Sequence, residues 1–119
     1  MTEVLDMRVV DELLSLCDDG DPELLLDLIK LFLDDGPAKV AAVVQGLATQ
    51  DFDMMERAVH ALKGSSGNLG AKHLQTVCEH MQQTTRAHQL EESRQLTARL
   101  QTEFGRARQA LEALCRKYS

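Results

Sequence analysis

Val59-His60-Ala61-Leu62-Lys63-Gly64-Ser65-Ser66-Gly67-Asn68-Leu69-Gly70-Ala71 is the stretch that decides how the chain is read. Upstream of it and within it, Phe52, Met55, Val59, Leu62 and Leu69 recur at steps of three, four and seven. That spacing predicts a helix with one side packed into a core. Asp51 and Asp53 offer N-terminal caps, and Gly70 suits a left-handed end. At about 100° per residue, His60 falls roughly 140° from the middle of the apolar cluster, so it is expected to face water. Lys63, Gly64 and Gly67 share its side.

Glycine inside a helix costs about 1 kcal/mol relative to alanine. Two of them beside one histidine call for a reason. Either they let a large partner approach the imidazole, or they let a neighbouring helix pack closely while His60 is an ordinary surface residue. Spacing alone leaves both readings open.

The run His60-x-Leu62-Lys63-Gly64-Ser65-Ser66-x-x-Leu69-Gly70-Ala71 resembles the signature of histidine-containing phosphotransfer (HPt) domains of multistep phosphorelays. A second patch, Val77-Cys78-Glu79-His80-Met81-Gln82, is similar to the next helix of that family. The resemblance implies that His60 is the phosphoacceptor and that Lys63 faces the phosphoryl oxygens. It also implies that Gln82 hydrogen-bonds the active histidine from the neighbouring helix. Gly64 and Gly67 would be the flat approach for a partner. Response-regulator receiver domains and a hybrid histidine kinase are the implied partners, with the aspartate and Mg²⁺ brought by the receiver. No cofactor or metal is expected on this chain.

The chemistry suits the residue types. Imidazole titrates near pH ~6.5, so much of it is neutral and nucleophilic around neutrality. A ring nitrogen can attack phosphorus and later pass the group to a carboxylate. Such transfer depends chiefly on positioning and charge stabilisation. The chain carries neither a Walker loop nor a kinase loop, so a phosphoryl carrier is expected in preference to an enzyme. Ser66 falls towards the apolar side, where its hydroxyl is expected to bond back to the preceding turn.

Along the rest of the chain, Leu5, Val9, Leu13 and Leu16 predict a short first helix, broken by Asp18-Asp19-Gly20. The resemblance implies that this helix covers one end of a bundle. Asp21-Pro22-Glu23 starts a second helix with Leu24, Leu25, Leu28, Leu31 and Phe32 as its stripe. Pro37 should kink that helix near its middle or restart it in the same direction, and Val40, Val43, Val44 and Leu47 continue the apolar face. Leu74, Val77, Cys78 and Met81 mark a fourth helix. A turn falls within residues 84–89. Leu96, Leu100, Phe104, Ala107, Leu111 and Leu114 mark the last helix, from about Glu91 to Arg116. No segment alternates as a strand would. The expected fold is all-α, an antiparallel four-helix bundle with an additional short N-terminal helix, in one HPt-like domain over 1–119.

Composition narrows the alternatives. Of 119 residues, 44% are hydrophobic and only 3% aromatic, which suits a helical core of Leu, Val, Ala and Met. A net charge of -6 argues against nucleic acid and against an anionic membrane surface. Cys17, Cys78 and Cys115 form no CxxC pair, and Cys78 and Cys115 read as buried apolar residues in a reducing compartment. With no signal-like start and no long apolar run, a cytoplasmic monomer is expected. Gly64, Gly67 and Gly70 do not match a dinucleotide loop. His60, His73, His80 and His88 lack the Glu-x-x-His pattern of a di-iron bundle. The reading from another class is a non-phosphorylated helical adaptor that docks receivers or kinases.

Overall fold

The computed structural model describes residues 3–16 and 21–118, so Asp18-Asp19-Gly20 and Cys17 lie outside the described residues. Five helices follow in order: α1 (Met7–Ser15), α2 (Glu23–Thr49), α3 (Phe52–Asn68), α4 (Lys72–Arg86) and α5 (Leu90–Tyr118). Helices α2 to α5 form an antiparallel four-helix bundle in which each helix packs on its sequence neighbour and α5 closes back on α2. No strand occurs among the described residues.

Helix lengths dictate the role of α1. The 27 residues of α2 and 29 of α5 are nearly twice the 17 of α3 and 15 of α4. At a rise of about 1.5 Å per residue, α2 and α5 overrun the shorter pair by roughly 15 Å. The N-terminal segment fills that end. Leu5 and Val10 are buried there, and Val4 and Leu5 lie beside Ala110 and Leu114 of α5. The Asp6 N–H donates to the Gly70 carbonyl at 2.7 Å, and the Glu3 carbonyl lies 2.9 Å from Nε2 of His73. Gly70 has φ +75, and a Cβ on it would sit 2.8 Å from the Asp6 carbonyl oxygen. Only glycine meets both demands.

Pro37 does not restart the helix: α2 is assigned as one helix from Glu23 to Thr49, the single-helix arrangement of the two that the proline allowed. The proline is exposed, so the carbonyl left without its N–H partner can be met by water. Buried Phe32 on one side and Val43 on the other hold the two halves to the same core. The α2 stripe is broader than its buried part. Leu25, Ile29 and Phe32 are sealed, whereas Leu24 and Leu31 are 39% and 57% exposed. In α1, Leu16 is likewise exposed, and the core contact comes from Val10.

Asp51 caps α3 by accepting from the Met54 N–H at 3.0 Å. The Ala71 N–H returns to the Ser66 carbonyl at 2.9 Å and the Gly70 N–H to that of Gly67, closing the helix at a left-handed glycine. Buried polar groups are paired. Ser66 donates to the Lys63 carbonyl, Thr97 to that of Ser93, and the Ser93 hydroxyl to Thr84 across the α4–α5 seam. Among the described residues no buried side-chain N or O lacks a partner.

Phe104 of α5 leans on Phe32, with ring centroids 5.3 Å apart, and its edge lies over Gly36. A Cβ on Gly36 would sit 2.7 Å from two ring carbons. Alanine there should therefore lose about 1–3 kcal/mol to overpacking despite its better helix propensity. Urea denaturation of Gly36→Ala tests this; a variant more stable than the parent would contradict it.

Burial at the α3–α4 seam pushes the Cys78 thiol from an ordinary 9.0 up to about 12, with the Glu79 charge adding to the rise and Lys63 opposing it. The unfolded chain then releases this proton first. Stability should be intact below pH 9 and fall between pH 9 and about 12, by up to about 1.4 kcal/mol per pH unit from this group. Melting temperatures of the parent and Cys78→Ala across that range check it. The expected result is a shallower alkaline decline in the variant.

Candidate functional site

His60 projects from the middle of α3 and is exposed, while its neighbours Val59 and Leu62 are buried at 0% and 1%. The apolar stripe of the helix thus fixes where the ring points. Across the seam, Met81 of α4 is fully buried, and Gln82 beside it is only 5% exposed. The Gln82 side-chain amide reaches His60 with Nε2 2.9 Å from Nδ1. A buried amide without a partner costs roughly 1–3 kcal/mol. Gln82 avoids that cost through the histidine ring, its one side-chain partner among the described residues. The bond therefore works both ways: the amide orients the ring, and the ring satisfies the amide.

The tautomer follows from which end of the amide faces the ring. If Nε2 of the amide donates, Nδ1 must be the acceptor; if Oε1 accepts, Nδ1 carries the proton. Nitrogen and oxygen of a glutamine amide occupy nearly equivalent positions, so both arrangements fit this geometry. The other ring nitrogen has no hydrogen-bond partner among the described residues.

Lys63 lies one turn after His60 and is half-buried. It makes no ion pair among the described residues. Its charge nevertheless reaches α4, where it acts on Cys78. Ser65 and Ser66 donate to the carbonyls of Leu62 and Lys63.

The two glycines differ. A Cβ on Gly64 would meet nothing within 4 Å. A Cβ on Gly67 would lie 2.7 Å from Nε2 and 3.1 Å from Cδ of Gln75 on α4. Gly67 is thus half-covered by the end of the flexible Gln75 side chain, and the two glycines are not equally bare.

Two features were not singled out in the sequence. On the far side of α3, a shallow groove of about 210 Å³ runs between α2 and α3 and is lined by Leu28, Leu31, Phe32, Lys39, Ala61 and Ser65, among others. On the α4 side, Nε of Arg86 donates to Oε1 of Glu56 at 2.6 Å. Glu56 is one turn before His60 and Arg86 one turn after Gln82, so once His60 and Gln82 are placed opposite each other in antiparallel helices the pair follows. Among the described residues no three His, Cys, Asp or Glu side chains gather as a metal site. No described helix is long and apolar enough to cross a membrane.

An all-helical bundle that displays one oriented imidazole on its outer wall is the architecture of a histidine phosphotransfer module. The Hpt domain family model matches residues 27–114, and the chain belongs to that family. It is a phosphotransfer relay protein of two-component signalling. It is 30% identical over 116 residues to histidine-containing phosphotransfer protein 2 of Arabidopsis thaliana, covering 86% of this chain and 74% of that protein. It is 29% identical over 80 residues to multistep phosphorelay regulator 1 of Schizosaccharomyces pombe, covering 67% of this chain and 27% of that protein. The crystal structure of histidine-containing phosphotransfer protein B of Pseudomonas aeruginosa superposes with a TM-score of 0.89 at 24% identity over the whole of both chains. The HPt domain of a Shewanella sensor hybrid histidine kinase gives 0.78 at 21% identity, covering 96% of this chain and 99% of that one.

Because Gly64 stands in open space within a helix, Gly64→Ala should raise stability by about 0.5–1 kcal/mol. The same urea titration used for Gly36→Ala reads it, and the two substitutions are expected to have opposite signs.

Proposed function

We propose that the chain, acting as a single unit over 1–119, accepts a phosphoryl group on His60 from a receiver-domain aspartate and passes it to another receiver. The observation that carries this reading is the exposed His60 ring, held at Nδ1 by a buried amide with its second nitrogen free.

In the reactive form the Gln82 amide presents Oε1 to the ring in place of the Nε2 that stands 2.9 Å from Nδ1, so Nδ1 carries the proton and donates it, which leaves a lone pair on the ring Nε2. That lone pair attacks the phosphorus of the aspartyl phosphate. The N–P bond forms as the P–O bond to the carboxylate breaks, and the carboxylate leaves with the electron pair. The proton stays at Nδ1 on its glutamine partner. Transfer onward is the same step reversed on a second receiver. Lys63 supplies positive charge to the phosphoryl oxygens. Mg²⁺ stays with the receiver, where it neutralises those oxygens, and no cofactor is assigned to this chain. It acts as a carrier because it brings no nucleotide chemistry of its own.

Docking uses the face around Gly64. Bare backbone there lets the receiver's acidic pocket close over His60. Leu31, 57% exposed on the rim of the α2–α3 groove, adds apolar contact. The partners are response-regulator receivers and a hybrid histidine kinase, met by a monomer in the cytoplasm, with no part for nucleic acid.

His60→Gln should abolish acid-labile labelling from a phosphorylated receiver while receiver binding persists; labelling at the parental level would sink the proposal. Docking by an unlabelled parent would instead support the adaptor reading. Gly64→Gln should keep the melting profile close to the parent's while slowing transfer at least about tenfold, since displacement of reacting groups by an ångström costs up to ~10². Stopped-flow or rapid-quench transfer measurements decide it, and an unchanged rate would refute open access at this position.

A further inference from the structure

Helices α3 and α4 meet through Val59, Leu62, Val77, Cys78 and Met81, apolar contacts that fix separation but have little directional preference. Their packing sets the coarse register of the seam, and directional bonds refine where the side chains at its edge point. Two side-chain hydrogen bonds cross it, His60 to Gln82 and Glu56 to Arg86, each displaced from the other by one turn on both helices. The first involves the ring that reacts. The second does not.

We propose that the Glu56–Arg86 ion pair is a positioning clamp that holds the Gln82 amide in register with His60 and so preserves the Nδ1 hydrogen bond that commits the reactive ring to one tautomer. Arg86 is suited to this. It bonds Glu56 through Nε, near the root of its guanidinium, and the side chains are 62% and 30% exposed. A pair this accessible adds little to global stability. Its effect is local, a fixed register one turn from the reacting nitrogen. With the clamp open, Gln82 loses alignment, and the ring returns towards the tautomer mixture of free imidazole. Glu56 and Arg86 are positioning residues and touch no phosphoryl group. The inference rests on the proposed attack through Nε2 with the proton on Nδ1.

The test is long-range ¹H–¹⁵N NMR of the His60 ring in the unphosphorylated protein, for the parent, Glu56→Gln, Arg86→Gln and the swapped Glu56→Arg/Arg86→Glu. Each single variant should lower the ratio of Nδ1–H to Nε2–H tautomer roughly two- to fivefold, with little change in melting temperature, and the swap should restore it. An unchanged ratio in both single variants overturns the clamp. The second arm measures transfer to receiver in Arg86→Gln, Gln82→Ala and the double variant. Arg86→Gln should slow transfer in the parent but add nothing once Gln82 is gone; independent, multiplicative losses would overturn the proposal. The NMR arm needs no phosphoryl donor, so its outcome stands apart from the labelling of His60→Gln that judges the relay reading.

Discussion

The hydrogen bond between the buried Gln82 amide and Nδ1 of His60 is the constraint on which the site depends. It joins residues 22 apart in sequence on two antiparallel helices, so it exists only when the bundle is correctly packed. An exposed histidine without such a partner rotates freely and exchanges tautomers. Here one nitrogen is committed inside the seam and the other is turned out. The bundle thereby converts an ordinary surface imidazole into a directed one without a cavity around it.

The packing that makes this possible is plain. Val59 and Leu62 bury one side of α3, Met81 anchors α4, and the two polar side chains beside them meet at the edge of the core. Nothing in the arrangement asks for an unusual backbone at His60. A left-handed turn lies ten residues on, at Gly70, where it ends α3 and receives the N-terminal segment. The same motif therefore orients the ring and joins the cap to the bundle.

Much of this was legible in the residues. The apolar steps through Met55, Val59 and Leu62 place His60 on the outer wall, and Asp51 and Gly70 mark both ends of α3. The all-helical class follows from the absence of alternation and the run of Leu and Ala. The contact between His60 and Gln82 was legible only through resemblance, since no spacing rule links residues on different helices. The unequal glycines escaped for the same reason: what covers Gly67 is Gln75, a side chain from another element. At Pro37 the sequence left one helix or two, because the rule against proline in a helix weighs the lost hydrogen bond and not the tertiary grip of Phe32 and Val43. Leu31 looked like core because periodicity counts apolar residues and does not measure how wide a buried strip is.

Gly64 has a consequence for recognition. A surface defined by a missing side chain carries no identity: it offers shape to any caller and preference to none. If receivers dock over Gly64 as proposed, discrimination among them would fall to the margin, where Leu31 and Lys39 border the α2–α3 groove. Lineages that retarget such a module would be expected to vary the margin and keep the bare centre, because filling the centre closes the door to every caller at once.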